Sequence, residues 1–168
     1  MKSIDLESPA LEEFRMIKFI KVDEALPLRN IVLREGRLKP DECRFPSDNI
    51  PGNFHLGYYD NKTLVCIASF HPQNLDGFDG RGYQLRGMAT ADGYKGQGIG
   101  SQLVQFAFLH LRKTGVGYVW CNARKIAVKF YANLGFDVIS PEFEVPGIGP
   151  HYVMHADLQS LFNTQISS

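Results

Sequence analysis

No C-x-x-C pair occurs in the chain, and its cysteines, Cys43, Cys66 and Cys121, are odd in number. Neither a disulfide framework nor a zinc ribbon is indicated, so no metal is expected and a reducing, cytoplasmic setting fits best. An excess of one charge is also missing. Basic and acidic residues number 18 each, for a formal net charge of zero, whereas a nucleic-acid binder usually shows a basic excess or stripe. Long apolar runs are absent too. The longest lies near residues 64–70, far short of the ~20 residues that a membrane span needs. The N-terminus carries Asp5, Glu7, Glu12 and Glu13 in place of a signal peptide's apolar core. Neither a nucleic acid nor a membrane is expected as a partner.

What is present suits one domain over residues 1–168 with a single core. Apolar and basic residues alternate over part of 14–22, which predicts a strand. Asp23 is a candidate N-cap for a short helix running to about Arg34, with Pro27 near its first turn. Residues 36–52, with three prolines, read as a loop with one helical turn near Asp41. A hairpin follows over 53–59 and 63–71, turning at Asp60 and Asn61. A strand is expected at 83–90 and a glycine-rich turn at 91–100. The clearest helix spans 101–113, with Leu103, Phe106, Ala107 and Leu111 at helical spacing, Arg112 and Lys113 at its end and Gly115 as its stop. A strand at 117–121, a helix at 124–134 stopped by Gly135, strands at 136–139 and 152–155, and a fraying tail at 158–168 complete the order. The class is α+β, with a mixed, mostly antiparallel sheet.

The segment Tyr94-Lys95-Gly96-Gln97-Gly98-Ile99-Gly100-Ser101 follows a strand and opens a helix. A helix start presents unpaired N–H groups and a partial positive charge, and glycines allow phosphate oxygens to approach the backbone. The spacing is not a dinucleotide fingerprint, because Ser101 and Leu103 stand where a third glycine belongs. It is not a P-loop, because Ile99 stands where lysine belongs. By itself the turn is also compatible with a plain strand-to-helix joint.

The run LRGMATADGYKGQGIGSQL, residues 85–103, resembles the acetyl-CoA motif R/Q-x-x-G-x-G/A of the GNAT acetyltransferases, with Lys95 in place of arginine or glutamine and Gly98 and Gly100 matching. Further on, AVKFYANLGF, residues 127–136, resembles that family's A-x-x-F-Y-x-x-x-G-F signature. WCNAR and GIGPHYVM, between Trp120 and Met154, look like an ElaA-related bacterial branch. The likeness covers residues 83–156; residues 1–82 carry no diagnostic motif. It implies a GNAT-like fold of about six or seven strands, splayed at the cofactor site, and acetyl-CoA as acyl donor.

It also implies roles. Met88, Ala89 and Thr90 would offer backbone to the pantetheine, with Asn122 on its other side. The amides of Gly96, Gln97, Gly98, Ile99, Gly100 and Ser101 would surround the pyrophosphate, and Lys95 either adds charge there or is a solvated loop lysine. Tyr131 would also touch the cofactor and protonate the leaving sulfur, while the Met88 N–H would hold the developing oxyanion. Candidates for the base are His151, Glu144 and His55; Glu35 and Arg124 are candidates for acceptor binding. Cys121 reads as a small buried hydrophobe rather than a nucleophile. The acceptor expected is a small-molecule amine, drawn by the acidic stretch with Glu35, Asp41, Glu42 and Asp48. A peptide amine, or no acceptor at all in an acyl-CoA-binding sensor, are the alternatives. A homodimer is a prior from soluble oligomers in general.

Overall fold

Alternation at the start of the chain does produce a strand, β1 (Arg15–Ile20), but a helix begins two residues later. The structure, a computed structural model, describes residues 14–163. The acidic N-terminal residues and the last part of the tail, 164–168, lie outside the described residues. Helix α1 (Val22–Leu28) is capped not by Asp23 but by Glu24, whose carboxylate accepts from the Lys21 N–H at 2.7 Å. Pro27 therefore falls inside the helix rather than in its first turn, where its missing N–H breaks the bonding ladder. The chain then widens into a π turn, Arg29–Leu33, which carries Arg29 and Asn30 into the interior. Two 3₁₀ turns, Pro40–Cys43 and Pro46–Asn49, follow, the first of them at the expected place.

The hairpin forms as β2 (Phe54–Asp60) and β3 (Thr63–Pro72), and β4 (Gly82–Thr90) extends it. Helix α2 (Ile99–Lys113) leads to β5 (Tyr118–Arg124). A 3₁₀ turn (Lys125–Ala127) and the short α3 (Val128–Asn133) stand where one continuous helix was expected. The C-terminal part holds β6 (Asp137–Val138), β7 (Phe143–Val145), β8 (Gly149–Asp157) and α4 (Leu158–Asn163). Strand β7 occupies part of the proline-bearing loop. The predicted tail begins as a helix because Leu158 is fully buried and Leu161 packs on the core. Among the described residues the sheet has eight strands, in the order β1-β2-β3-β4-β5-β8-β6 with β7 on β8. Every pairing is antiparallel except β4 with β5.

Both faces of the sheet centre are covered, which is why β3 is apolar and buried almost throughout. Cys66, Ala68 and Phe70 join the larger core with Leu103, Val104, Ala107 and Leu111 of α2. Ile67 faces the other way, against Ala25 and Leu28 of α1. On that second face the apolar layer gives way to a polar network. Arg29 donates to both carboxylate oxygens of Asp48, at 2.7 and 2.9 Å, to Ser69 Oγ at 2.8 Å and to the Cys43 carbonyl at 3.1 Å. The Arg29 and Asp48 side chains are only 1% and 3% exposed. Such a pair is costly to break, by about 3–5 kcal/mol, because the survivor is left charged and buried. His55 Nδ1 lies 2.6 Å from the same Ser69 hydroxyl.

Strands β4 and β5 pair over three residues only, Gly82 to Gln84 against Tyr118 to Trp120, and then part. The local cause lies in β4. Its register against β3 slips between Ile67↔Ala89 and Ser69↔Arg86, so β4 carries one extra residue, a bulge. Gly87 sits in it at φ +64°, in the left-handed region. The extra residue reverses the alternation: Leu85 belongs to the α2-side core and Met88 packs against it, while Ala89 belongs to the α1-side cluster. A Cβ on Gly87 would stand 3.1 Å from both Arg29 Nε and Phe45 Cε2.

Gly87→Ala is therefore expected to cost about 1–3 kcal/mol, from left-handed backbone strain plus the crowding of Arg29 and Phe45. Urea unfolding measures it, and a loss below 0.5 kcal/mol, about the scatter of neutral surface substitutions, would remove the bulge from the account.

The buried network also predicts acid sensitivity. Burial raises the Asp48 carboxyl, but hydrogen bonds from Arg29 and the Phe45 N–H outweigh it and hold it below 3.8. Burial lowers His55, His71 and His155 below 6.5. In each case the unfolded chain binds the proton more readily than the folded one. Stability from the histidines is complete above pH 6.5 and is lost as pH falls from there; that from Asp48 is lost as pH falls below 3.8. Thermal melts from pH 8 to pH 5 are expected to show a declining Tm, with a shallower decline in His55→Gln. A Tm that rises on acidification contradicts this.

Candidate active site

The turn between β4 and α2 is built for an open backbone. Gly96 and Gly98 both have φ +77°, a conformation that L side chains rarely adopt, and a Cβ on either would meet nothing within 4 Å. Gly100 differs. A Cβ there would stand 2.9 Å from Met88 Cε and 3.2 Å from Phe130 Cζ, so its bare Cα lets α2 start hard against β4 and α3. Ile99, 1% exposed, anchors the first turn in the core.

Helical bonding begins with the Gln102 N–H donating to Gly98 O at 3.1 Å; among the described residues no N–H from 95 to 101 donates to a main-chain carbonyl. The Gln97 amide donates to Gly93 O at 3.1 Å and accepts from Arg15 at 3.4 Å, bracing the loop. Lys95 turns aside to pair with the exposed Asp92 at 3.1 Å. A row of main-chain donors without acceptors among the described residues, at a helix start with open space beside Gly96 and Gly98, fits a diphosphate.

Beyond the paired residues, the gap between β4 and β5 opens into a cavity of about 440 Å³. From β4 it is lined by Gln84, Leu85, Arg86, Gly87 and Met88, and from β5 by Asn122 and Arg124. Ala127 and Tyr131 face it from beside α3, Leu33, Arg34 and Phe45 from the α1 side, and Val145, Ile148 and His151 from the β7–β8 hairpin. The Phe45 ring is held between two guanidiniums, with Arg29 at 4.1 Å and Arg86 at 4.2 Å from its centroid.

Tyr131 is buried, edge-on to Phe130 at 5.0 Å and to Phe136 at 5.3 Å. Burial, then the neighbouring Cys121 and Cys66, push its phenol well above 10.0, against a smaller pull from Arg124. It is therefore a protonated donor at neutral pH. The same burial lifts the Cys66 thiol to about 11 and raises Cys121 as well. A sulfur released in this surrounding would likewise be more basic than in water.

Among the base candidates, His151 lies in the cavity wall, with Nδ1 2.8 Å from the Gly149 carbonyl. A carbonyl only accepts, so Nδ1 donates, and in the matching neutral tautomer Nε2 holds the free lone pair. Glu144 is exposed on β7 and does not line the cavity. His55 lies in the buried network under β2 and β3. Of the cofactor candidates, Met88 and Asn122 face the cavity, whereas Ala89 packs toward α1 and the Thr90 hydroxyl meets Cys66 Sγ at 3.3 Å. Cys121 is 2% exposed, which agrees with a core role.

The acidic stretch does not do what its composition suggests. Asp48 is taken up by Arg29, Asp41 by Arg44, Glu35 by Arg37, and Glu42 caps the Lys39 N–H at 2.7 Å. None of the four lines the cavity. Sequence reading missed Leu33, Arg34, Phe45 and Arg86 as wall residues. The first three belong to the motif-poor first half, and Arg86 alternates with Leu85 onto a face whose neighbour, Phe45, is remote in sequence, so no local signal marks them.

Residues 42–157 match the family model described as "Acetyltransferase (GNAT) domain". YitI of Bacillus subtilis (strain 168), described as an uncharacterized N-acetyltransferase, is 39% identical over 145 residues, covering 86% of this chain and 97% of that protein. Among solved structures, Escherichia coli ElaA superposes with a TM-score of 0.68 at 19% identity, over 86% of this chain and all of its own. An aminoglycoside 6'-N-acetyltransferase complexed with coenzyme A gives 0.68 at 15% identity, over 85% and 97% of the two chains.

Proposed function

This chain belongs to the GNAT family of N-acetyltransferases, and on that premise we propose that it transfers the acetyl group of acetyl-CoA to the amine of a small-molecule acceptor. The observation that carries this reading is continuity. The unpaired donors at the start of α2 lie at one end of β4, and the gap that begins where β4 leaves β5 runs to the buried Tyr131 phenol. The thioester supplies an activated acyl carbon. The amine nitrogen attacks that carbon directly, the C–N bond forms, the C–S bond breaks, and the nitrogen sheds one proton as the sulfur gains one.

This chain's residues serve the two proton movements. Tyr131 donates toward the departing sulfur, and the Nε2 lone pair of His151 accepts from the amine, directly or through water. The Met88 main chain, beside the bulge, supports the developing oxyanion. Residues Gly96, Gln97, Gly98, Ile99, Gly100 and Ser101 hold the diphosphate by their amides, and Lys95, tied to Asp92, adds only screened charge. A cavity of about 440 Å³, walled on the acceptor side by the β7–β8 hairpin, favours a small acceptor over an open peptide groove.

Tyr131→Phe is expected to keep the fold and coenzyme binding but to lower kcat by roughly 10²- to 10⁴-fold. Thiol release from acetyl-CoA with an accepted amine measures turnover, and calorimetry with coenzyme A measures binding. Unchanged kcat would take the phenol out of the reaction.

A further inference from the structure

Charge inside the cavity is one-sided although the chain as a whole is neutral. Arg34, Arg86 and Arg124 line it, and among the described residues no aspartate or glutamate does. Among the described residues none of the three has a carboxylate partner. Arg34 donates to the Leu33 carbonyl at 3.2 Å, Arg124 to the same carbonyl at 3.4 Å, and Arg86 reaches Ser47 Oγ at 3.5 Å while stacking on Phe45. Arg29, close by, is already discharged by Asp48. The adjoining groove adds Arg37, whose charge Glu35 meets at 3.3 Å, so it brings no net negative charge.

Like charges packed around one space repel each other, and Arg86 feels its neighbours in this way. Burial lowers Arg86, Asp48 opposes this, and Arg29 and Arg34 lower it further. An anion placed between them converts that repulsion into charge-assisted hydrogen bonds. The coenzyme's own phosphates are not the natural guest, since no residue of the glycine turn lines this cavity and their donors lie at the start of α2. Leu33, Val145 and Ile148 supply an apolar wall beside the guanidiniums.

We infer that the acceptor is an amine that also bears a carboxylate, a small amino acid with an apolar body, whose carboxylate is held by Arg34, Arg86 and Arg124 while its amine faces the thioester. Polyamines and other polycationic amines are repelled by the same walls. This inference rests on the acyl-transfer reading above.

The test uses the full chain, acetyl-CoA and matched acceptor sets: leucine, leucinamide and 3-methylbutylamine; phenylalanine, phenylalaninamide and phenethylamine; and β- and γ-amino acids against their amides. Spermidine is the polycationic control. Thiol release is expected to favour the carboxylate member of a set by at least about tenfold in kcat/KM. Arg86→Gln is expected to raise KM for that acceptor by a similar factor and to erase the preference, with KM for acetyl-CoA unchanged. Arg34→Gln, whose guanidinium contacts only its neighbour's carbonyl, guards against misfolding of the first variant and is expected to act in the same direction.

Amides, simple amines or spermidine reacting as fast as the acids would overturn the inference and leave acyl transfer standing. A rise in KM for acetyl-CoA with the acid preference intact would also overturn it, by assigning the guanidiniums to the coenzyme. Release with no member of any set would overturn both readings.

Discussion

The parting of β4 from β5 after three paired residues is the constraint on which the site depends. A parallel pair that stayed zipped would bury both edges and leave no room for a ligand. The bulge at Gly87 bends and twists β4 away. The Arg29–Phe45–Arg86 stack, pinned by Asp48 and Ser69, fills the space on the α1 side into which β4 would otherwise relax. On the other side, Gly100 allows α2 to meet Met88 and Phe130 closely enough for its open N-terminus to stand at the head of the gap. A polar network and two glycines thus do together what neither an apolar core nor a motif does alone.

That arrangement explains how the chain combines two environments within one cavity. Tyr131 is ringed by Phe130 and Phe136 with buried thiols nearby, so the phenol keeps its proton. Three guanidiniums without carboxylate partners among the described residues line the same cavity, Arg124 near enough to draw on the Tyr131 phenol, with apolar cover from the β7–β8 hairpin and the π turn. Burial keeps the phenol protonated, and the guanidiniums make the cavity positive. A neutral chain can hold such a charged cavity because its carboxylates are spent elsewhere, on Arg29, Arg37, Arg44 and the Lys39 N–H.

The motifs of the second half were legible in the sequence, as were β1, the β2–β3 hairpin and the helical turn near Asp41 in the first, but the cavity walls contributed by the first half were not. Helix α2, the glycine turn and the Phe130–Tyr131 pair follow from local spacing, because backbone conformation and helix periodicity are set within a few residues. Strand ends, by contrast, shifted. Alternation continues past Ile20, yet Glu24 caps a helix starting at Val22, and the 152–155 strand lengthens to Gly149–Asp157 because β5 pairs with it along its whole length. Strand β7 was hidden in the proline-bearing loop because its partner is β8 rather than its own pattern. The cavity's arginines were hidden for a different reason: Arg86 alternates away from Leu85 onto a face whose neighbour, Phe45, comes from a distant loop, and Arg34 arrives through a π turn that the sequence reads as ordinary helix.

The most direct test is a crystal structure of the chain with coenzyme A. The account predicts the diphosphate against the N–H groups of residues 96–101, the pantetheine in the gap between β4 and β5, and the sulfur within hydrogen-bonding reach of the Tyr131 hydroxyl. A coenzyme bound elsewhere, or a sulfur separated from that hydroxyl by packed side chains, would contradict it.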